Sequence, residues 1–272
     1  MSLADLVSAD ATRVTHPALV LGRLLPKLDP ADERVDKRGK CAGVAFDRAA
    51  RYQATILGKV NLRLRRLAAD LERGGVPVVS FIARCATRLI TGSGGGLPEV
   101  NATLVHPVYG YPYIPGSSLK GAARAEALRI GEPDLDRIFG GAPGSLESDE
   151  PGLVAFFDAV PVPSINPSPV LEVDVATVHH KRYYEGDLAE PLPTESPVPL
   201  PFLVVPAGVR FRFLLAGVSP SVPGELVASA LRLLRTAMTE EGLGASTASG
   251  YGYFDAGSVV LDVGAHVIGG EQ

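Results

Sequence analysis

Between Tyr111 and Gly121 the chain places Pro115 and Gly116 directly ahead of Ser117 and Ser118, with Lys120 and Arg124 following four residues apart. From Ser117 to Arg129 most residues are strong helix formers, and a Pro-Gly turn followed by Ser is a helix entry signal. At such an entry, unpaired N–H groups and the positive end of the helix dipole face outward and suit a phosphate. Lys120 and Arg124 share one helical face, so they could meet neighbouring phosphates of a polyanion. A capped helix start with solvated basic residues fits the same sequence, and local chemistry leaves both readings standing.

A second candidate lies between Gly242 and Tyr253, where four glycines (Gly242, Gly244, Gly250, Gly252) and three hydroxyl residues (Ser246, Thr247, Ser249) precede Tyr251 and Tyr253. Glycine lets a backbone approach a ligand closely, and successive N–H groups can form an anion nest. An ordinary connecting loop is the alternative, although glycine at this density between a helical and a strand pattern favours binding. Two nucleotide motifs fail. A P-loop needs the lysine after its second glycine, and here Lys120 precedes Gly121. A dinucleotide fingerprint needs a third glycine where Thr247 stands, and runs from strand into helix rather than from helix into strand.

Taken together, the Pro-Gly-Ser-Ser-Leu-Lys-Gly run and the loop ending Gly250-Tyr-Gly252 resemble the RAMP superfamily of CRISPR-associated RNA-binding proteins. Thr87-Arg88-Leu89 with Gly92 and Gly94, Tyr109 to Pro115, His179 to Tyr184 and Pro201 to Val205 look like the family of sixth-numbered RAMP subunits in Cmr, type III-B, effector complexes. This resemblance spans roughly residues 78 to 262. It implies a ferredoxin-like fold, an N-terminal helical extension and contact with CRISPR RNA (crRNA). The family's loop often carries a lysine where Ser246 stands, so phosphate contact there would rest on backbone N–H and hydroxyl groups.

His179, His180, Lys181 and Arg182, followed by Tyr183 and Tyr184, form the one constellation with catalytic character. Metal-independent RNA cleavage needs a base for the 2′-hydroxyl and an acid for the leaving oxygen, which His with Lys or Tyr could supply. Adjacent histidines on a strand point to opposite faces, so at most one serves a given site. Stacking or packing by one His and the tyrosines, with Lys181 and Arg182 on phosphate, is the favoured reading. The resemblance implies a non-catalytic subunit: the repeating backbone subunit of Cmr-type complexes cuts with an aspartate in the loop after its first strand. Here that region, Gly92 to Glu99, has no Asp. Asp158, Asp174, His179 and His180 match no recognised ligand spacing, and no metal or cofactor is expected.

A chain of 272 residues, 46% hydrophobic, can bury a full core. Neither a secretory leader nor a membrane-spanning run is evident, so a cytoplasmic, membrane-free setting is expected. Cys41 and Cys85 form no Cys-x-x-Cys pair and suit a reducing compartment. The net charge of −4 is unusual for a free-standing RNA binder, so any RNA site must be a local patch that neighbours in an assembly complete. Candidate sources of that patch are Arg63, Arg65 and Arg66, Arg84 and Arg88, Lys120 and Arg124, Lys181 and Arg182, Arg210 and Arg212, and Arg232 and Arg235.

To position these residues, residues 1 to 45 are read as an irregular charged arm and Phe46 to Leu71 as a long amphipathic helix ended by Gly74 and Gly75. Val78 to Ile90 reads as the first strand, with Arg84 and Arg88 on one face and Phe81, Cys85 and Leu89 on the other. After the Ser117 helix, Gly152 to Asp158 and Phe202 to Ala216 are strand-like, Pro223 to Met238 helical and Tyr251 to Leu261 a final strand. Proline-rich passages from Pro161 to Pro169 and Pro191 to Pro201 read as protruding loops. This order is that of a ferredoxin-like (RRM-like) α+β RAMP domain over residues 78–272, with helices on one face of an antiparallel sheet and inserted loops at about 160–201, preceded by an arm and helix at 1–77.

The expected RNA-binding residues are Arg88, Ser117, Ser118, Lys120, Arg124, His179, His180, Lys181, Arg182, Gly244, Ser246, Thr247, Ser249, Gly250, Tyr251 and Gly252, with Arg88, Ser117, Lys120 and the glycine-rich loop converging. The function so read is a non-catalytic subunit of a type III-B interference complex. Its expected partners are crRNA, target RNA, the repeating backbone subunit and the second end-capping RAMP subunit. A metal-independent repeat endoribonuclease using His179 or His180 is the alternative, and a protein-only scaffold a third.

Overall fold

The computed structural model describes residues 35–92, 104–141, 150–166, 168–178 and 198–263, together with 186 and 190. Helix α1 (Val35–Arg73) comes first. Its sheet-facing stripe runs through Ala50, Gln53, Leu57, Asn61, Leu64, Ala68 and Leu71, a 3.6-residue period. The helix starts eleven residues before the expected Phe46. Gly39 and Gly43 each cost about 1 kcal/mol relative to Ala, which good helix formers around them absorb. The Gly74 and Gly75 amides close the helix onto Asp70 and Glu72 carbonyls.

Strand β1 (Val78–Arg84) pairs antiparallel with β6 (Arg210–Gly217) from Val78 opposite Ala216 to Arg84 opposite Arg210. On its other side β1 pairs with β7 (Val260–Val263), while β2 (Val154–Phe156) and β3 (Val160–Pro161) pair with β6. Helix α2 (Gly116–Ile130) crosses from β1 to β2, a short α3 (Leu135–Phe139) follows it, and α4 (Gly224–Thr236) crosses from β6 to β7. The spatial order, β2/β3 then β6, β1 and β7, with both inner neighbours antiparallel, is the ferredoxin-like arrangement.

Alternation along the two central strands sends Val79, Phe81, Ala83, Phe211, Phe213 and Leu215 to one face. There they join Leu119, Ala123 and Ala127 of α2 and Leu226, Ala230 and Leu234 of α4 in the main core. Phe81 and Phe213 sit opposite one another with rings stacked at 4.7 Å. The other face carries Val78, Leu214 and Ala216, covered by Leu64, Leu67, Ala68 and Leu71 of α1. Further along α1, Leu57 packs on Tyr111, Val160 and Val170. Between these apolar contacts lies Arg212, 5% exposed. Its guanidinium donates to Asn61 Oδ1 at 2.9 Å, to Ser80 Oγ at 3.3 Å and to Asp262, whose carboxylate also meets Arg65.

Four strand expectations change. The first strand stops at Arg84, because the residues after it pair with other segments: Cys85 with Phe254 and Leu89 with Val205. The Phe202 to Ala216 strand is two strands, β5 (Val198–Val204) and β6, divided by a turn at Pro206 to Gly208. β5 pairs with β4 (Glu172–Val178) in a separate two-stranded ribbon that takes in Pro199 and Pro201, read from sequence as loop. Prolines two residues apart lie on the same edge of a strand, where a missing N–H breaks no ladder if that edge is unpaired. The final strand is only Val260–Val263, since residues 251–258 are held by turns and by the contact with β1.

Because α1 seals one face of the sheet, Leu57→Ala should lower stability by about 3 kcal/mol. Chemical denaturation would show one cooperative transition at a lower midpoint; an unchanged midpoint would mean that α1 is loosely attached.

Candidate nucleic-acid interface

The glycine-rich loop lies against the segment that leaves β1, held by backbone bonds. Ala86 N–H and Thr87 N–H donate to the Tyr253 carbonyl, Gly252 N–H to the Arg88 carbonyl at 2.7 Å and Ala245 N–H to the Ile90 carbonyl at 2.9 Å. Tyr253 N–H donates to Thr87 Oγ1 at 3.1 Å. Gly244 and Gly252 have φ of +85° and +82°, and a Cβ on either would stand 2.0 Å from a carbonyl oxygen, of Ile90 or Leu243. The close approach these glycines permit is therefore to the chain itself. At the exposed tip Ser246 takes the left-handed conformation, φ 59° and ψ 31°, and leads into a short 3₁₀ turn, Thr247–Ser249. The N–H groups of Ser246, Thr247 and Ala248 have no acceptor among the described residues. Successive amides of this kind make an anion-binding concavity.

Arg88 faces an open groove of about 580 Å³ between this loop and the β4–β5 ribbon, lined also by Glu172, Pro206, Ser249, Gly250 and Tyr251. Its Nε donates to Glu172 Oε1 at 2.6 Å and its Nη1 to Asp174 Oδ2 at 3.3 Å. Tyr251 Oη donates to the same Asp174 oxygen at 2.8 Å. The Glu172 hydrogen bond, followed by the Asp174 charge, holds the Arg88 guanidinium still more firmly protonated than usual. The bond to Asp174, then burial, raises the Tyr251 hydroxyl. One cation against two carboxylates leaves this wall net negative, and Arg88 ties the ribbon to the segment that leaves β1.

The α2 entry is as expected in register, but its end is already capped. Gly116 N–H donates to Asp158 Oδ1 at 2.8 Å, from the connection between β2 and β3. Ser118 and Leu119 N–H groups turn back to the Pro115 carbonyl. A Cβ at 116 would lie 2.1 Å from the Phe156 carbonyl oxygen, so only glycine allows this docking. Ser117 and Ser118 are exposed, Lys120 and Arg124 half-buried, and neither cation has an acidic partner among the described residues.

Helix entry and glycine-rich loop are linked through Ile90 and Thr91. Ile90 accepts from the loop, and Thr91 Oγ1 donates to the Tyr113 carbonyl at 3.2 Å, just ahead of Pro115. Beside that link, His106 gathers Tyr109, Tyr111 and Tyr113, with ring centroids 4.8, 5.0 and 6.5 Å away. His106 Nδ1 accepts from the Val108 and Tyr109 amides, and burial, more than the neighbouring Tyr109 and Asp158, pushes the Tyr111 hydroxyl up.

Of the expected site, Arg88 touches the loop directly, while the α2 residues reach it through this link. His179, His180, Lys181 and Arg182 lie outside the described residues, as does Ser93 to Glu99. Sequence reasoning weighs Asp158 and Asp174 only as metal ligands and omits Glu172; each lies 42 to 86 positions from its partner, and no local spacing signals the capping and pairing roles. Arg84 is likewise engaged, by Asp255, and Arg232 reaches Glu132 at 3.5 Å. Burial pushes the Cys85 thiol well up, which suits an inert core group. Among the described residues no cluster of His, Cys, Asp and Glu is arranged to hold a metal, and no helix is long and apolar enough to cross a membrane.

Comparison with known proteins matches residues 83–255 to the RAMP superfamily. The chain is 29% identical over 223 residues to the CRISPR system Cmr subunit Cmr6 of Pyrococcus furiosus, covering 61% of this chain and 64% of that protein. It is 31% identical over 207 residues to the Cmr6 subunit of Saccharolobus solfataricus, covering 74% and 66%. It thus spans just under two thirds of each relative's length. Among solved structures, a chain of the type III-B Cmr-beta complex bound to cognate target RNA superposes with a TM-score of 0.57 at 25% identity, covering 76% of this chain and 68% of that one.

Gly244→Ala should cost more than 1 kcal/mol and loosen the loop, read as faster amide exchange at Ala245 and Gly252. Tyr251→Phe should cost about 1 kcal/mol. Because the Tyr251 hydroxyl titrates higher in the folded chain, that contribution is fully present below the ordinary phenol range. It is lost as pH rises through the elevated value. Denaturation midpoints of both proteins against pH should therefore differ at neutrality and converge only in alkaline solution.

Proposed function

The chain belongs to the RAMP superfamily, and from that premise we propose that it is a non-catalytic, RNA-binding subunit of a type III-B, Cmr-type interference complex. It holds the backbone of crRNA, or of its duplex with target RNA, near one end of the assembly, and leaves sequence reading to base pairing. The similarity to two Cmr6 subunits and to a chain of the RNA-bound Cmr-beta complex supports this assignment.

The observation that carries the RNA contact is the glycine-rich loop, anchored by backbone on Arg88 to Ile90 and offering three free N–H groups at its exposed tip. Lys120 and Arg124 flank the connected helix entry. These groups bind and orient phosphates, a holding role that needs no proton transfer. With an overall charge of −4 the chain binds RNA weakly alone, and neighbouring subunits complete the groove. The partners are the repeating backbone subunit and the second end-capping RAMP subunit.

Binding of labelled crRNA to the purified chain, at two salt concentrations and with or without the backbone subunit, tests this reading when the products are run on a denaturing gel. Weak, salt-sensitive binding that tightens with the partner and leaves RNA intact is expected. The double variant Lys120→Ala, Arg124→Ala should weaken it roughly tenfold and reduce the salt slope by about one. Discrete cleavage by the chain alone, lost on His179→Ala or His180→Ala, would assign it instead to the repeat endoribonucleases.

A further inference from the structure

Helix α1 departs in charge from the rest of the chain. Val35–Arg73 holds ten Lys and Arg against four Asp and Glu, a net of +6. The whole chain has 26 against 30, so the remainder, with 16 against 26, stands at −10. In its well-packed second half the helix turns Leu57, Asn61, Leu64 and Ala68 to the sheet, and Lys59, Arg63 and Arg66 are exposed on the opposite side.

These three cations behave differently from their neighbours. Arg65 leans to Asp262, and Arg73 pairs with Asp70. Lys59, Arg63 and Arg66 have no acidic partner among the described residues. They rise along the axis in steps of about 6 and 4.5 Å, so their long side chains can span successive phosphates of one strand.

We propose that the outer face of α1 is a second contact surface for the RNA phosphodiester backbone, with Lys59, Arg63 and Arg66 as its cations. The inference rests on the RNA-binding reading above and extends it to a surface away from the glycine-rich loop. Two observations favour RNA over an acidic protein. The face offers Leu62 as its large exposed apolar residue, whereas a protein interface needs a buried apolar or aromatic centre. The stripe also begins just after the turn of α1 that is fastened to the chain preceding α2: Gln53 Nε2 donates to the Gly110 carbonyl at 3.0 Å and Leu57 packs on Tyr111. That segment leads directly into α2 and Lys120. The start of the stripe is thereby tied through this segment to the α2 entry, while α1 and α2 cover opposite faces of the sheet.

The test compares full-length chain, the triple variant Lys59→Ala, Arg63→Ala, Arg66→Ala, and the charge-preserving triple Lys59→Arg, Arg63→Lys, Arg66→Lys, using a labelled single-stranded RNA of mixed sequence over a salt series. All three positions are exposed on a helix and Ala is a good helix former, so thermal melting should be unchanged. The alanine triple should lose roughly tenfold in affinity at low salt and about two in the log–log salt slope, while the charge-preserving triple keeps both. A wild-type slope in the alanine triple overturns this inference and leaves the RNA-binding reading intact. Unchanged RNA binding with lost association to the backbone subunit overturns it too, and makes the face a protein contact. Absence of RNA binding by the wild-type chain, alone and with the backbone subunit, overturns the reading and the inference together.

Discussion

The pairing of β1 with β6 constrains everything else in this molecule. Seven consecutive residue pairs fix which side chains face which way, and both resulting faces are covered. On one side Phe81, Phe213 and their neighbours are sealed by α2 and α4; on the other Val78, Leu214 and Ala216 are sealed by α1. RNA-recognition folds of related topology stack bases on an open sheet face. Here α1 lies across it, which moves the donors and cations suited to nucleic acid to loop tips, helix ends and the outer surface of α1. Arg212 shows how firmly that covering is built in. A guanidinium at 5% exposure survives because Asn61, Ser80 and Asp262, from a helix and two strands, meet it together.

A second consequence concerns how the chain handles its positive charge. Asp158 caps α2, Glu172 and Asp174 hold Arg88, Asp255 holds Arg84 and Glu132 receives Arg232. Much of the basic content is thereby spent on joining segments. Groups left open for a polyanion among the described residues include the amides of Ser246 to Ala248, Lys120 with Arg124, and the α1 stripe. Such a distribution suits a protein that meets RNA at spaced points along its backbone within an assembly. On the proposed function, it also reconciles an acidic chain with a polyanionic ligand.

The glycine-rich loop illustrates the difference between recognising a motif and knowing its mechanics. Its glycine density suggests room for a ligand, and the loop does present amides at Ser246 to Ala248 with no acceptor among the described residues. Yet Gly244 and Gly252 are required because Ile90 and Leu243 carbonyls press against them. The loop is a docked element whose tip can bind, and its anchoring depends on residues that leave β1 more than 150 positions earlier.

Local pattern determined a good deal: the α2 start at the Pro-Gly-Ser-Ser run, the α4 stripe, the central strands and the order of elements that makes a ferredoxin-like sheet. These follow from periodicity and turn chemistry, which act over a few residues and are written in the sequence directly. Boundaries depending on a distant partner were not legible there. The first strand ends at Arg84 because Phe254 and Val205 take over its neighbours, and Pro199 and Pro201 sit in a strand because the ribbon leaves them an edge. Residue types named the basic and hydroxyl candidates, but tertiary structure decided which of them are free. Asp158, Glu172 and Asp174 arrive from other elements to cap a helix and pair an arginine. An ion pair depends on where side chains meet in space, and no spacing along the chain records that.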